Sequence, residues 1–443
     1  MMASASDSSG VFASSGPMTP TVITGARLID GTGATPVEDA TLVIVDGRVQ
    51  AVGRGLPVPD GARTIRAAGR TVMPGLIDSH VHNMGLKAVS PMTQRPPELA
   101  LIQAIQECRG LLKAGYTTLK DCGCRNGIFL KKASEEGSLP GIPRIVAAGL
   151  VVAQTFNGLD NAYLPDKCLD ARSARQSEFL LCDGVDECIK GTRYALRYGA
   201  DFVKIFASGN YAFDNSPADH LQFNADEIRA VVRTAADAGK FVTAHCHSRL
   251  SAKNALLCGV KTIDHAIGID EGVVGLAKER DALFVSTLSI VHAEMEQARR
   301  ENSAMASPQC QDAWVSMISS YKAVKNAGGV LAAGSDLNSS PTLPLGRNAL
   351  ELELLVDYCD FTPMEAIVAA TRNGALACFM GHETGTLEPG KLADLIIVDG
   401  DPLLDIRILQ DPANIKLVML EGAVEVDHTL GPIVNSDRKS GVR

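Results

Sequence analysis

The strongest constraint on this chain is an alternation that runs through its middle. Apolar segments of strand length recur at RTVMPGLIDSHVH, TTLKDCG, RIVAAGLVV, DFVKIFAS, FVTAHCHS, KTIDHAI, ALFVSTLS and VLAAGSD, giving eight candidate strands. Stretches with helical spacing separate most of them. Gly115, Gly199, Gly239, Gly259 and Gly328 each follow such a stretch and precede a strand, where a left-handed residue closes a helix. Asn224 with Glu227 has the pattern of a capping box, and Ile228, Val231, Val232 and Ala235 then fall on one face. Thr362, Pro363 and Glu365 repeat that start. Regular βα units of this kind predict an α/β protein built as a (β/α)₈ TIM barrel. An open doubly wound sheet is the rival, and no dinucleotide fingerprint follows the first strand to support it.

The two ends have a different texture. Residues 21 to 71 change pattern every few positions, with a hairpin signal at Asp46-Gly47, and similar β-rich runs return at 385–403 and 414–426. One small sheet assembled from both termini is the expectation. The predicted division is a tail at 1–18, a composite β-sandwich from 19–73 with 386–430, a barrel over 74–385 and a second tail at 431–443. The first 18 residues hold no Lys or Arg and no apolar core, unlike a signal peptide.

Composition narrows the partners. With a net charge of −9 and no basic run, the chain is poorly suited to nucleic acid or an anionic membrane, so a small-molecule substrate is expected. Its 11 cysteines are scattered, odd in number and mostly set in apolar stretches, which points to free thiols and a cytoplasmic location. No apolar stretch is long enough for a transmembrane helix.

Chemistry-bearing residues gather where strands run out. His80 and His82 end the first strand two residues apart, so both imidazoles point the same way. His245 and His247 repeat that spacing in VTAHCHS, His265 ends TIDHA, and Asp336 ends VLAAGSD. Five of nine histidines therefore sit at the C-terminal ends of candidate strands, the face on which barrel active sites are built. Imidazoles with a carboxylate suit Zn²⁺ and other borderline divalent ions. Lys204 lies inside DFVKIFAS between Val203 and Ile205, where a charged ammonium is costly. It is either paired with an acid inside the barrel or neutral and carboxylated by CO₂ to a carbamate that bridges two cations. The surrounding ligand candidates favour the carbamate. Cys122 and Cys124 have metal-like spacing but no second pair, and packing near strand two accounts for them; Cys246 should face the helices.

The phrases PGLIDSHVH, DFVKIFASGN, VTAHCHS, KTIDHAIGID, GSD and GTLEPGKLADLIIVDGDPL closely resemble the amidohydrolase superfamily, in particular its imidazolonepropionase-like and prolidase-like branch, over nearly all of residues 19 to 430. The resemblance implies a barrel with a composite β-sandwich, a binuclear site and hydrolysis of amide-type bonds. It implies that His80 and His82 bind the more buried ion and His245 and His265 the more exposed one. Lys204 would bridge them as its carbamate, and Asp336 would bind the buried ion and shuttle protons. Two divalent ions are expected, Zn²⁺ first, with Co²⁺, Mn²⁺ or Fe²⁺ as alternatives, and the protein is expected to form a homo-oligomer.

Two stretches depart from the branch. A Gly-Gly-His-type motif after strand three is replaced by VVAQTFNGLDNAYLP, and a Pro-His-Gly context after the strand-eight Asp is replaced by SSPTLPLG. The substrate is expected among N-acyl amino acids, peptides, aryl amides, ureas and carbamate-like small molecules; because both stretches lie where substrate is recognised, an amide or urea without a free α-carboxylate is expected over a simple dipeptide. Candidates for holding substrate are His247, Tyr211, Arg249 and Arg347. A mononuclear deaminase or cyclic-amide hydrolase of the same fold would not need Lys204. A non-catalytic scaffold would not need the ligand set.

Overall fold

The computed structural model describes residues 19–85, 96–157, 179–211, 216–300, 308–336 and 346–428. The expected tails at 1–18 and 431–443, most of SSPTLPLG and the second half of VVAQTFNGLDNAYLP lie outside the described residues. The N-terminal part forms β1 (Thr21–Leu28), β2 (Val37–Val45), β3 (Arg48–Arg54), β4 (Arg63–Arg66) and β5 (Arg70–Pro74). The middle supplies β6 (Leu76–Val81), β7 (Tyr116–Asp121), β8 (Arg144–Ala147), β9 (Val151–Ala153), β10 (Phe179–Leu181), β11 (Phe202–Phe206), β12 (Phe241–His245), β13 (Thr262–Asp264), β14 (Leu283–Ser286) and β15 (Leu331–Ala333). The C-terminal part adds β16 (Leu395–Asp399), β17 (Ile415–Leu420) and β18 (Ala423–Asp427).

Strands from both ends share one sheet, in the order β18-β17-β16-β5-β1-β2-β3 with β4 on β1. The seam between the two ends is the antiparallel pair β5–β16, with Met73 opposite Ile396. Asp46 and Gly47 turn the β2–β3 hairpin, both with positive φ, as the Asp-Gly pair predicts. The middle strands pair in parallel, in two runs: β6-β7-β8 and β10-β9-β11-β12-β13-β14-β15. Two backbone bonds connect the runs, from Asp336 N, after β15, to His80 O on β6 (2.8 Å) and from Asp201 N, just before β11, to Ala147 O on β8 (2.8 Å).

Two expected strands are divided. RTVMPGLIDSHVH splits at Gly75, its first part joining the terminal sheet and its second the parallel one. A Cβ at Gly75 would fall 2.2 Å from the Thr117 side chain, so only glycine lets the chain cross between sheets here. RIVAAGLVV breaks after Ala147 into β8 and β9, which pair with different neighbours. The helix signals hold: Asn224–Glu227 and Thr362–Glu365 are capping boxes, and the five helix-closing glycines all have positive φ.

Side chains alternate along the parallel strands. Val203 and Ile205, and Val242, Ala244 and Cys246, pack in the large core shared with the helices. Phe202 and Phe206 pack in separate clusters, on the face that also carries Lys204. No helix among the described residues is long and apolar enough to cross a membrane.

A buried ion pair ties the terminal sheet to the parallel one. Arg144 Nη1, on β8, lies 2.7 Å from Asp394 Oδ2, and its Nη2 lies 2.6 Å from Glu421 Oε1. Asp394 is 2% exposed and also accepts from Thr384 Oγ1 and the Glu421 backbone N–H. Removing one partner leaves a buried charge uncompensated. Arg144→Met is expected to cost roughly 3 kcal/mol in equilibrium unfolding, and an unchanged denaturation midpoint would contradict this account of the joint.

Candidate metal centre

The centre is built around one carboxylate. Asp78, on β6 and 2% exposed, accepts on Oδ1 from the backbone N–H groups of His80 (3.1 Å) and Ser335 (3.0 Å). Its Oδ2 accepts from Ser335 Oγ (2.6 Å) and Asn348 Nδ2 (2.8 Å). Burial raises the Asp78 pKa to about 6, although these four donors pull it back. The strand that carries His80 and the turn that carries Asp336 are thus fastened to the same group. Gly334 lets them approach, since a Cβ there would lie 2.7 Å from His80 Cβ. Asp336 itself has a left-handed backbone, φ 56°, which aims its carboxylate back over β6.

Three donor atoms converge as a result. His80 Nε2 and His82 Nε2 lie 3.2 Å apart, at 3.5 and 3.3 Å from Asp336 Oδ1. His82 Nδ1 bonds the Gly123 carbonyl at 3.0 Å, and the Gly123 N–H is itself held by Asp121, so the ring presents Nε2 to the centre. Burial opposes a proton on His82, but the hydrogen bond and charge of Asp336 carry its pKa to about 9. His80, pressed by burial and by the Lys204 charge, falls to about 4. A site that holds a proton between His82 and Asp336 in this way also has the geometry and the donor set for a borderline divalent cation.

A second group lies beside the first. Donor atoms of His245, His247 and His265 lie within 4.8 Å of one another, and the His80 and His265 rings are 4.7 Å apart. His265 would alternate away from Asp264 in a regular strand, but His265 and Ala266 both have positive φ, which swings the imidazole inward. Thr287 Oγ1 bonds its Nδ1 at 2.9 Å, and Tyr321 Oη donates to its carbonyl at 2.8 Å. Burial and the neighbouring positive groups hold His245 and His265 well below the usual histidine range, in the neutral form that binds metal.

Lys204, 2% exposed, ion-pairs with Asp264, whose Oδ2 also lies 3.2 Å from His80 Nδ1. This corrects the expectation of a depressed lysine pKa. Burial does disfavour the ammonium, but the adjacent Asp264 carboxylate outweighs it and the net shift is upward. Sequence reading did not single out Asp264; its position immediately before His265 hides it, because alternation would keep only one of the two inside. Cys122 comes within 4.8 Å of His80 and Asp264 donors, yet burial pushes its thiol well up, so it remains a protonated packing residue.

The four substrate candidates divide. Tyr211 stacks on His247, with centroids 5.1 Å apart, and its backbone N–H donates to His247 Nδ1 at 3.3 Å. Arg249 is instead ion-paired with Asp270 at the start of the helix Glu271–Glu279, and Arg347 lies 3.9 Å from Glu296. The structure does not bring these two arginines to the histidines. Tyr211 leads to a further acid, Glu294, which accepts from its hydroxyl at 2.9 Å.

The sequence matches the amidohydrolase family model over residues 71–424. The chain belongs to the amidohydrolase family. Ochratoxinase from Aspergillus niger is 30% identical over 441 residues, covering 95% of this chain and 90% of the relative. Its crystal structure superposes with a TM-score of 0.83 at 28% identity, over 92% of this chain and 96% of that one. A prolidase crystallised with N-methylphosphonate-L-proline gives a TM-score of 0.80 at 29% identity, over 92% and 99%. Imidazolonepropionase from Acidiphilium cryptum is 24% identical over 435 residues, covering 89% of this chain and 95% of the relative. The protein is accordingly a hydrolase of carbon–nitrogen bonds.

The Asp78 network yields a test. Asp78→Asn keeps the shape but turns one acceptor oxygen into an NH₂ group facing donors. Metal affinity, measured by chelator competition, is expected to fall by about 10–100-fold with the fold retained. Unchanged affinity would remove Asp78 from the support of the centre.

Proposed function

We propose that this chain is a binuclear metal-dependent amidohydrolase that cleaves an amide, urea or carbamate-like bond in a small molecule without a free α-carboxylate. The reading is carried by one observation, the convergence of His80 Nε2, His82 Nε2 and Asp336 Oδ1 within 3.5 Å of one another. In it, the two parallel runs are the arcs of one (β/α)₈ barrel over 74–385, and the terminal sheet belongs to a composite β-sandwich from 19–73 and 386–430. His80, His82 and Asp336 hold one cation, and His245 and His265 hold a second. Lys204, as its carbamate, would supply a further anionic ligand beside them. The ions are Zn²⁺ or a similar divalent metal. The ten described cysteines are all buried and none forms a disulfide with another of them, which supports a thiol-preserving compartment such as the cytoplasm.

Two such cations, when bound, would supply a water of lowered pKa and a polarised carbonyl. Asp336 is the residue that moves the proton: its carboxylate accepts from the attacking water and delivers to the departing nitrogen. His247 has a separate role. Its Nδ1 accepts the Tyr211 N–H, so the neutral ring carries its proton on Nε2, and burial keeps it neutral by lowering its pKa to about 3. It is therefore a hydrogen-bond donor for the substrate carbonyl and not a metal ligand. Ochratoxinase, imidazolonepropionase and prolidase relatives support an amide-type bond as the target, and the displacement of Arg249 and Arg347 from the site supports a substrate lacking a carboxylate.

A mononuclear site has one observation in its favour, the Lys204–Asp264 ion pair, which such a site would keep. Carboxylating Lys204 sets two anions side by side, so the modification is expected only together with bound cations. Elemental analysis of active enzyme should give about two ions per chain, and a ¹³C carbamate resonance from labelled bicarbonate should appear only in the metal-loaded protein. One ion per active chain, or a carbamate in the metal-free protein, would count against this reading. Asp336→Asn should retain most of the metal yet lose turnover by on the order of 10²-fold or more, the scale of general acid–base catalysis; near-normal kcat would sink the proton-shuttle assignment.

A further inference from the structure

Glu294 lies on the helix Leu288–Arg300, which leaves the C-terminal end of β14 and so rises beside the metal centre. It is partly buried, and among the described residues its carboxylate meets the Tyr211 hydroxyl at 2.9 Å and Cys310 Sγ at 4.0 Å. Tyr211 spans the space between this carboxyl and His247, its ring stacked on the imidazole and its hydroxyl on the acid. Glu294 is in no ion pair among the described residues, because Arg347 faces Glu296 and Arg249 faces Asp270. Burial, with the field of Asp336 added, raises its pKa to about 7 against the pull of the Tyr211 hydrogen bond, as happens to a carboxyl lacking a cation.

We infer that Glu294, held by Tyr211, is a specificity-determining carboxylate that receives a protonated amino group of the substrate. The inference rests on the proposed amide-hydrolysing site and narrows its substrates to aminoacyl amides, which carry an ammonium on the acyl side and no carboxylate. An incoming ammonium supplies the positive charge that no described residue places beside Glu294. An N-acylated substrate cannot supply it, and a substrate carboxylate would be repelled by Glu294 and Asp336 together.

Binding of L-phenylalanine hydroxamate and of N-acetyl-L-phenylalanine hydroxamate to the zinc-loaded full chain, measured by calorimetry at pH 7, tests this directly. The free amine is expected to bind about tenfold tighter or more, the scale of a charge-assisted hydrogen bond. In Glu294→Gln that preference should vanish while the Kd of the N-acetyl compound stays within about twofold of its original value. Equal affinities in the unsubstituted protein, a preference that survives Glu294→Gln, failure of both compounds to bind, or an equal loss for both would each overturn the inference. Turnover of the matched phenylalanine anilide and its N-acetyl form separates the two readings. Amine-selective binding without hydrolysis sinks amide cleavage and keeps the role of Glu294. Hydrolysis without amine preference does the reverse.

Discussion

The Asp78 carboxylate is the point from which the centre is hung. Its four donors come from β6, from the turn after β15 and from Asn348, so segments far apart in sequence meet on one buried group. A buried carboxylate without such donors would be costly, and with them it becomes a rigid node. His80 and Asp336 inherit their positions from it. The Asp336 N–H to His80 carbonyl bond joins the first and last parallel strands at the same place, so site geometry and sheet geometry are one constraint.

Electrostatics inside the parallel strands follow from packing several charged or polar groups where water is excluded. Lys204, Asp264, His80, His82 and Asp336 form a continuous chain of ion pairs and short nitrogen–oxygen contacts. No member titrates independently of the others. Asp264 acts in two directions, raising the Lys204 pKa and approaching His80, so a change in charge at one end is felt at the other. Lys204 and protonated His82 balance Asp264 and Asp336, so cations bound here would take the place of positive charge that protons already supply.

Most of the framework was legible because it depends on local chemistry. Capping residues, helix-closing glycines and the Asp-Gly hairpin each act within a few residues, and all appear where the pattern placed them. The histidines and Asp336 could be recognised because strand ends carry so few of them by chance. What could not be read required knowledge of approach between distant segments. Asp264 and His265 share the interior only because of a left-handed step, Arg249 and Arg347 are captured by acids on other helices, and Glu294 lies in an otherwise ordinary helical sequence. The RTVMPGLIDSHVH segment looked continuous because the crowding that makes Gly75 a crossing point comes from Thr117, on another strand.

The seam between β5 and β16 also has a consequence for how the protein is made. On the ribosome the first five strands emerge early, yet β5 keeps one edge open until β16, residues Leu395–Asp399, has been synthesised. During that interval an unpaired apolar strand edge is available to a neighbouring nascent chain, a hazard that grows with expression rate. The final strands therefore act as a latch on the oldest part of the polypeptide. Interrupted synthesis or loss of the segment after Asp394 would leave that edge exposed even where the parallel strands had already paired.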